Sequence, residues 1–260
     1  MMSEPTQGGR FEDVHAREAG VWTVRDPEQH GRSVQAMFAR IAGVYDFMNH
    51  LLSAGRDRAW RKNVAERIDS DAWEILDLCA GTGDLALACK RAGRGRAWLA
   101  ADFCPEMLRG VRGKKGAEQL ELLAADALAL PLCDHSVDVV TVGFGVRNFA
   151  DVRGGLGEIA RVLRPGGQLV VLEFFRDDPG AHGELRGVAA PIRLVVGAMV
   201  RLLGNLVGRD RGAYAYLPAS MDQFLTVREF RDLLAEFGFS DVEVERQTFG
   251  IAHIVAGRLP

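Results

Sequence analysis

A glycine turn and the acid that follows it are the residues best spaced to bind a small molecule. In "EILDLCAGTGDLA" (74–86), an apolar run leads into Gly81 and Gly83, and a helical pattern begins directly afterwards. Such glycines let the backbone turn tightly beside a ligand, and the first amides of the next helix point toward it. Asp102 ends the next apolar run, 102 − 83 = 19 residues after Gly83, where a carboxylate can accept hydrogen bonds from ribose hydroxyls. The spacing indicates a ligand that contains adenosine.

Two further acids bear on which ligand this is, since a nicotinamide dinucleotide and S-adenosylmethionine (SAM) both contain adenosine. Asp126 ends a third apolar run, where its carboxylate can accept a hydrogen bond from the adenine amine. Asp84 follows the turn, where it would repel a pyrophosphate and would suit the cationic amino-acid part of SAM. A helix N-cap is the structural alternative for Asp84. SAM is the favoured cofactor, with S-adenosylhomocysteine as its product.

The acids fall at the ends of short apolar runs that alternate with helical patterns. Near-continuous apolar strands alternating with helices are typical of a parallel sheet covered on both faces. Two β-like runs near the C-terminus, separated by Gly250, predict an antiparallel edge. The predicted strands are "EILDLCA", "AWLAADF", "LELLAADA", "VDVVTVGFG", "QLVVLEFF" and the two runs within "SDVEVERQTFGIAHIVAGR". The fold class is therefore α/β, with a mostly parallel, seven-stranded sheet.

The 260 residues are enough for one such domain with additions. We expect a flexible tail over 1–32 and a single domain over 33–260, which begins with a helical cap at 33–70. Residues 176–216 interrupt the pattern as a helical insertion. Within the insertion, 188–207 has an apolar face that either packs on the sheet or contacts lipid, and its two arginines argue against a membrane span.

The composition is that of a soluble globular chain, with 48% apolar and 26% charged residues. A net charge of −3 argues against nucleic-acid binding through phosphate neutralisation. The four cysteines show no C-x-x-C spacing, and no cluster of metal-ligand residues stands out, so we expect no metal. The N-terminal residues lack an apolar signal region, and we expect a cytoplasmic protein. The sequence leaves the oligomeric state open, a homodimer included.

Several blocks between Met37 and Ser220 together resemble the ubiquinone/menaquinone biosynthesis C-methyltransferases. These blocks are "MFARIAGVYDFMNHLLSAGRDRAWR", "ILDLCAGTGDLA", "AADALALP", "FGVRNFADV", "EIARVLRPGGQLVVLEF" and "YAYLPAS". The segments "YDFMNHLLS" and "FGVRN" are more specific to this family than the glycine turn, which any class I SAM-dependent methyltransferase can carry.

The resemblance implies a Rossmann-like class I methyltransferase fold and methylation of a ring carbon on a demethylmenaquinol or a 2-polyprenyl-benzoquinol. The implied acceptor is a lipophilic prenylated quinol, so peripheral contact with the inner face of the membrane is expected. Predicted cofactor-binding residues are Tyr45, Asp77, Ala80, Gly81, Thr82, Gly83, Asp102, Phe103, Asp126, Ala127 and Gly143. Asp126 stands where many family members have Asn, and Gly143 stands where some have Ser.

Three residues are candidates for the chemistry, which needs a polarised quinol oxygen near an aligned methyl group. Arg147 follows the fourth strand, where its guanidinium can stabilise a developing phenolate or pair with an acid to hold the loop. Asn148 can orient the quinol oxygen, although capping of the helix near Asp151 is favoured. The resemblance places Tyr45 near the methyl group, on the same helical face as Asn49.

Other functions remain open at this point, because the departures from the family pattern lie in the C-terminal, substrate-binding half. Val255 takes the place of the family's closing His, and His253 is expected to be a strand residue. The alternatives are a methyltransferase acting on another phenolic or lipid substrate, a catalytically silent scaffold subunit with a SAM fold, and a dehydrogenase.

Overall fold

The computed structural model describes residues 15–18, 21–24, 26–178, 180–185, 216 and 219–260. Two strands, β1 (His15–Glu18) and β2 (Val21–Val24), pair as a separate antiparallel hairpin. The predicted insertion helix 188–207 lies outside the described residues, as do residues 1–14 of the predicted tail.

The main sheet has seven strands in the order β5-β4-β3-β6-β7-β9-β8. Its strands are β3 (Glu74–Leu78), β4 (Ala97–Asp102), β5 (Leu120–Ala124), β6 (Val137–Gly143), β7 (Leu163–Glu173), β8 (Ser240–Gln247) and β9 (Ala252–Arg258). Strands β3 to β7 pair in parallel, whereas β9 runs antiparallel to both β7 and β8. The predicted mostly parallel sheet with an antiparallel C-terminal edge is confirmed.

The strand order reverses beside β3, which lies between β4 and β6. From β3 the chain builds outward to β4 and β5, and it then crosses back to add β6 and β7 on the other side. The carboxyl ends of β3, β4, β5 and β6 therefore diverge around one crevice. Open α/β sheets bind their ligands at such a reversal point.

Seven α-helices lie wholly within the described part of the chain, and residues 219–223 are helical as well. They are α1 (Pro27–Ile41), α2 (Tyr45–Leu52), α3 (Arg56–Arg67), α4 (Asp84–Arg91), α5 (Pro105–Arg109), α6 (Val152–Val162) and α7 (Val227–Glu236). The Asp26 side chain caps α1 by accepting from the Gln29 amide, and Pro27 occupies the first helical turn. Helix α1 therefore begins before residue 33, where the helical cap was predicted to start.

Successive side chains of the central strands are buried on opposite faces of the sheet, because side chains in a strand alternate with a period of two. On one face, Leu76 belongs to a core that includes Leu156 of α6 and Phe230 of α7. On the other face, Ile75 belongs to a core that includes Trp60 of α3. Helices thus cover both faces, which explains why β3 and β6 are near-continuous apolar runs in the sequence.

Candidate active site

A cavity of about 340 Å³ opens where the strand order reverses, at the carboxyl ends of β3 to β6. This volume falls within the roughly 300–1,000 Å³ typical of small-molecule sites. Eight of the residues predicted for the site line it: Tyr45, Gly81, Asp102, Phe103, Asp126, Ala127, Gly143 and Asn148. The strand ends therefore bring together side chains that are far apart in the sequence.

The glycine turn between β3 and α4 has a backbone that only glycine adopts without strain at two positions. Gly81 has φ +57° and Gly83 has φ +75°, and Gly83 caps the start of α4. The Ala80 amide donates to the carbonyl of Ala101 at 2.9 Å, which fixes the turn against the end of β4.

Asp102 is the acid held most firmly against this turn. Its Oδ2 accepts from the Gly81 amide at 2.7 Å, and its Oδ1 accepts from the Cys104 amide at 2.8 Å. Burial raises the pKa of Asp102, and the two amide hydrogen bonds oppose that rise. Each carboxylate oxygen keeps a further lone pair for a ligand hydroxyl, which suits a ribose diol.

Asp126 lies farther along the same wall, after β5. Its Oδ1 accepts from the Leu128 amide at 2.9 Å, which leaves the second oxygen for an amine donor on the ligand. Ala127 and the ring of Phe103 line the cavity beside it. We call Asp102, Phe103, Asp126 and Ala127 the adenosine wall, because they offer acceptors and an apolar surface in the places that ribose and adenine need.

Four other predicted cofactor residues support the turn and do not line the cavity: Asp77, Ala80, Thr82 and Gly83. Buried Asp77 accepts from the Ala86 amide at 3.0 Å and from the Thr141 hydroxyl at 2.9 Å, and burial raises its pKa to about 7. The Thr82 hydroxyl donates to Asp46 of α2 at 2.5 Å. Their predicted contacts with the cofactor stay predictions.

The charges that line the cavity favour one of the two adenosine cofactors. The lining acids are Glu28, Asp102 and Asp126, and the basic residue among the lining side chains is Arg32. Arg32 pairs with Glu28 at 3.2 Å, so the carboxylates of Asp102 and Asp126 are not matched by a cation on the wall. Such a wall attracts the positive sulfur of SAM and repels a pyrophosphate. The residues fit SAM.

Where β6 ends, the cavity is bounded by Phe144, Asn148 and Phe149, which we call the acceptor wall. The Asn148 side chain donates to the Phe144 carbonyl at 3.3 Å and accepts from the Tyr216 hydroxyl at 2.9 Å. Asp151 caps α6 by accepting from the Arg153 amide, so the interpretation of Asn148 as the cap of that helix is wrong.

Arg147 is buried behind the acceptor wall and is paired with an acid. Its Nη1 donates to Glu173 of β7 at 2.5 Å and to the Phe144 carbonyl at 2.8 Å. Its own backbone amide donates to the same carboxylate at 3.3 Å. Glu173 is fully buried, and burial raises its pKa while Arg147 opposes the rise. The alternative in which Arg147 pairs with an acid and holds the loop is confirmed.

Tyr45 begins α2 and covers the cavity from the side of the helical cap. Its ring packs edge-on against Phe38 of α1, with centroids 5.9 Å apart. Burial raises the pKa of the Tyr45 hydroxyl, whereas a hydrogen bond with Asn49 and the positive charge of Arg147 lower it. The predicted shared face of Tyr45 and Asn49 is confirmed, and the phenol stays protonated near neutral pH.

Comparison with known proteins assigns the chain to a family. The model of the ubiE/COQ5 methyltransferase family matches residues 25–258. The chain belongs to this family. A demethylmenaquinone methyltransferase from Thermus thermophilus is 44% identical over 227 residues, which cover 86% of this chain and 100% of the relative. A ubiquinone/menaquinone biosynthesis C-methyltransferase UbiE from Dinoroseobacter shibae is 36% identical and covers 92% of this chain and 94% of its own length.

Solved structures show the fold that the family implies. A SAM-dependent methyltransferase from Thermotoga maritima superposes with a TM-score of 0.61 at 17% identity, covering 86% of this chain and 99% of its own. Another SAM-dependent methyltransferase, from Aquifex aeolicus, gives a TM-score of 0.53 at 16% identity, covering 77% and 89%. The predicted Rossmann-like class I methyltransferase fold is confirmed, and the family and the fold support SAM as the cofactor.

The structure adds lining residues that the sequence did not indicate. Helix α1 contributes Gly31, Val34 and Gln35, and the Gln35 side chain donates to the Phe103 carbonyl at 2.7 Å. The helical spacing of Val34 and Phe38 was visible in the sequence, but it did not show that this face covers the pocket. Cys79 also lines the cavity with φ +56°, a left-handed backbone that its residue type does not indicate.

Proposed function

We propose that this protein transfers the methyl group of SAM to a ring carbon of a polyprenyl quinol, in menaquinone or ubiquinone biosynthesis. The observation that carries the proposal is a single cavity lined by both the adenosine wall and the acceptor wall. Membership of the ubiE/COQ5 family supports the quinol as acceptor, and relatives 44% and 40% identical are named demethylmenaquinone methyltransferases.

The adenosine wall would bind and orient the cofactor. SAM, when bound, supplies an electrophilic methyl group on a positively charged sulfur. Asp102 would accept from the ribose hydroxyls and Asp126 from the adenine amine, and both carboxylates add negative charge to a cavity that would hold a cationic cofactor. Tyr45 and Phe38 would exclude water above the glycine turn. Orientation of this kind contributes much of the rate in a transfer between two bound reactants.

The acceptor wall would make the ring carbon nucleophilic. Loss of the quinol proton to water places negative charge on the oxygen and on the adjacent ring carbon. Once that carbon has taken the methyl group, its hydrogen leaves as a proton and the oxygen is reprotonated, so the transfer releases one proton overall. The Asn148 amide lies at the cavity surface and can orient that oxygen, while Tyr216 fixes the amide. Burial raises the pKa of Tyr45 and Tyr216, and the nearby charge of Arg147 opposes the rise at both hydroxyls. The Arg147 guanidinium, part of whose charge Glu173 neutralises, would contribute to stabilising a phenolate formed beside them.

The test is methyl transfer from radiolabelled SAM to each reduced acceptor, a demethylmenaquinol and a 2-polyprenyl-benzoquinol. We expect label in at least one quinol and none in the corresponding oxidised quinone, whose ring carbon is not nucleophilic. Binding of S-adenosylhomocysteine without transfer to either quinol would favour the scaffold alternative. Transfer only to other phenols would favour a different substrate class.

We also propose peripheral contact with a membrane surface, because a polyprenyl acceptor resides in the bilayer. Within the described residues, no helix is both long and apolar enough to cross a membrane. Flotation of the full chain with liposomes of bacterial lipid composition tests the contact. Recovery in the floating fraction is expected, and complete recovery in the protein-only fraction would contradict it.

A further inference from the structure

Six polar side chains form a ring that joins the helical cap to the glycine turn. Its members, which we call the polar ring, are Asp46 and His50 of α2, Asp57 and Arg61 of α3, Asp84 of α4, and Lys114. Asp46 and His50 lie one helical turn apart, so both ends of the ring return to α2. This helix is therefore held from two sides.

The contacts run from His50 to Asp46 in an unbroken series, and the backbone of α2 closes the ring between these two residues. His50 meets Asp57 at 3.0 Å, Asp57 meets Arg61 at 2.5 Å, and Arg61 meets Asp84 at 3.7 Å. Lys114 then bridges the two remaining acids, with its Nζ 2.5 Å from Asp84 and 2.6 Å from Asp46. The Asp57 side chain is 7% exposed and that of Lys114 is 21% exposed, whereas those of Asp46 and His50 are 42% and 44% exposed, so water screens the α2 ends of the ring more than its middle.

Two contacts connect the ring to the cofactor site. Asp46 accepts from the Thr82 hydroxyl within the glycine turn at 2.5 Å. Its neighbour Tyr45 lines the cavity, and a ring carbon of Tyr45 lies 3.7 Å from where a Cβ on Gly81 would stand. The position of Asp46 therefore sets the distance between the Tyr45 ring and the turn.

We propose that the polar ring holds α2 closed over the bound cofactor and that Asp46 and Lys114 are positioning residues for Tyr45. This inference rests on the proposed SAM site. Neither residue lines the cavity, so each acts through α2 and not by touching the cofactor. If the polar ring is disrupted, α2 lies away from the glycine turn in a larger fraction of the molecules. Part of the binding free energy of the cofactor is then used to bring α2 back, so the measured affinity falls.

The first test compares Lys114→Met with Lys115→Met, which removes the same charge from the next, exposed position. Calorimetry with S-adenosylhomocysteine should show binding at least about fivefold weaker for Lys114→Met, in the range of couplings between sites. Lys115→Met should match the parent protein. Equal affinity in all three proteins would overturn the proposal, whereas a parent protein that does not bind would refute the SAM site itself.

The second test measures the position of α2 without any cofactor. Phe47 of α2 is 64% exposed and is a cleavage site for chymotrypsin. Cleavage after Phe47 should be several-fold faster in Lys114→Met than in Lys115→Met, and Lys114→Arg should restore the slow rate. Thermal unfolding midpoints confirm that each variant is folded. Identical cleavage rates in folded Lys114→Met and parent protein would contradict a role in holding α2.

The third test asks whether Asp46 and Lys114 act as a pair. Asp46→Asn removes the charge but keeps an acceptor for Thr82, so it isolates the ion pair. The double variant should bind S-adenosylhomocysteine no more weakly than the weaker single variant, because both changes break the same contact. Losses that multiply would show independent effects and would overturn the pairing.

Discussion

The two walls of the cavity are held in place by different means. On the adenosine wall, Asp102 and Asp126 accept from backbone amides, two of which lie only two residues further along the chain. On the acceptor wall, the loop after β6 depends on Glu173, 26 residues from Arg147, and on Tyr216, 68 residues from Asn148. The acids of one wall are fixed by backbone amides, whereas the other wall is fixed by side chains from distant elements.

Because of this difference, we expect substitutions on the adenosine wall to weaken ligand binding and substitutions on the acceptor wall to destabilise the fold. A carboxylate anchored by its own loop is in place once the strand end forms, so its removal should weaken the ligand more than the protein. A buried ion pair between distant segments contributes to holding the tertiary structure, and removing one partner leaves the other charge buried and unpaired. The four substitutions below test that separation.

The largest effect is expected from Arg147→Met, which leaves Glu173 buried without its partner. We expect a loss of about 3–5 kcal/mol in the free energy of unfolding, measured in urea. The matched control is Arg153→Met, because Arg153 forms an ion pair with Glu236 at 2.7 Å in which both side chains are exposed. That change should cost less than about 1 kcal/mol. Similar losses in both variants would show that the acceptor wall does not depend on its buried pair.

Asp102→Ala should act on the ligand more than on the fold. Loss of charged acceptors for the ribose hydroxyls should weaken S-adenosylhomocysteine binding about 10- to 100-fold by calorimetry. Asp134→Ala is the control, because its exposed carboxylate pairs with Arg161 and does not line the cavity. Full affinity in the Asp102 variant would show that the adenosine wall is not part of the cofactor-binding site.

Tyr216→Phe should affect the acceptor without affecting the cofactor. The change removes the hydroxyl that fixes the Asn148 amide, and one such hydrogen bond corresponds to about a two- to tenfold loss in kcat. The affinity for S-adenosylhomocysteine should stay within about twofold, because the adenosine wall is untouched. A variant that loses cofactor affinity and keeps kcat would show that the two walls are not separate.

The smallest effect is expected from Asp126→Asn. The amide oxygen keeps an acceptor, while the negative charge beside the cofactor is lost, so binding should weaken by only about two- to threefold. The same calorimetry on Asp126→Leu, which removes the acceptor as well, separates the contribution of the charge from that of the hydrogen bond. A loss as large as that of the Leu variant would mean that charge at this position dominates.

The residues of the adenosine wall could be predicted from the sequence, whereas the contacts that hold the acceptor wall could not. Asp102 and Asp126 could be placed because they end apolar runs, and parallel strands bring their carboxyl ends to one edge. The partners of Arg147 and Lys114 could not be identified, because an ion pair between elements leaves no periodic trace in the chain. The helix cap was misassigned for a related reason, since Asn148 and Asp151 are both good caps and only the backbone shows where α6 begins.

The place of β9 in the sheet has a consequence for synthesis on the ribosome. Residues 252–258 fill the gap between β7 and β8, and they pair with the strand that carries Glu173. Until those residues emerge from the exit tunnel, a nascent chain holds β7 as an open edge with apolar side chains on it. Open edges of this kind recruit other strands. Strand β9 is thus the segment that protects the β7 edge of the nascent chain from aggregation.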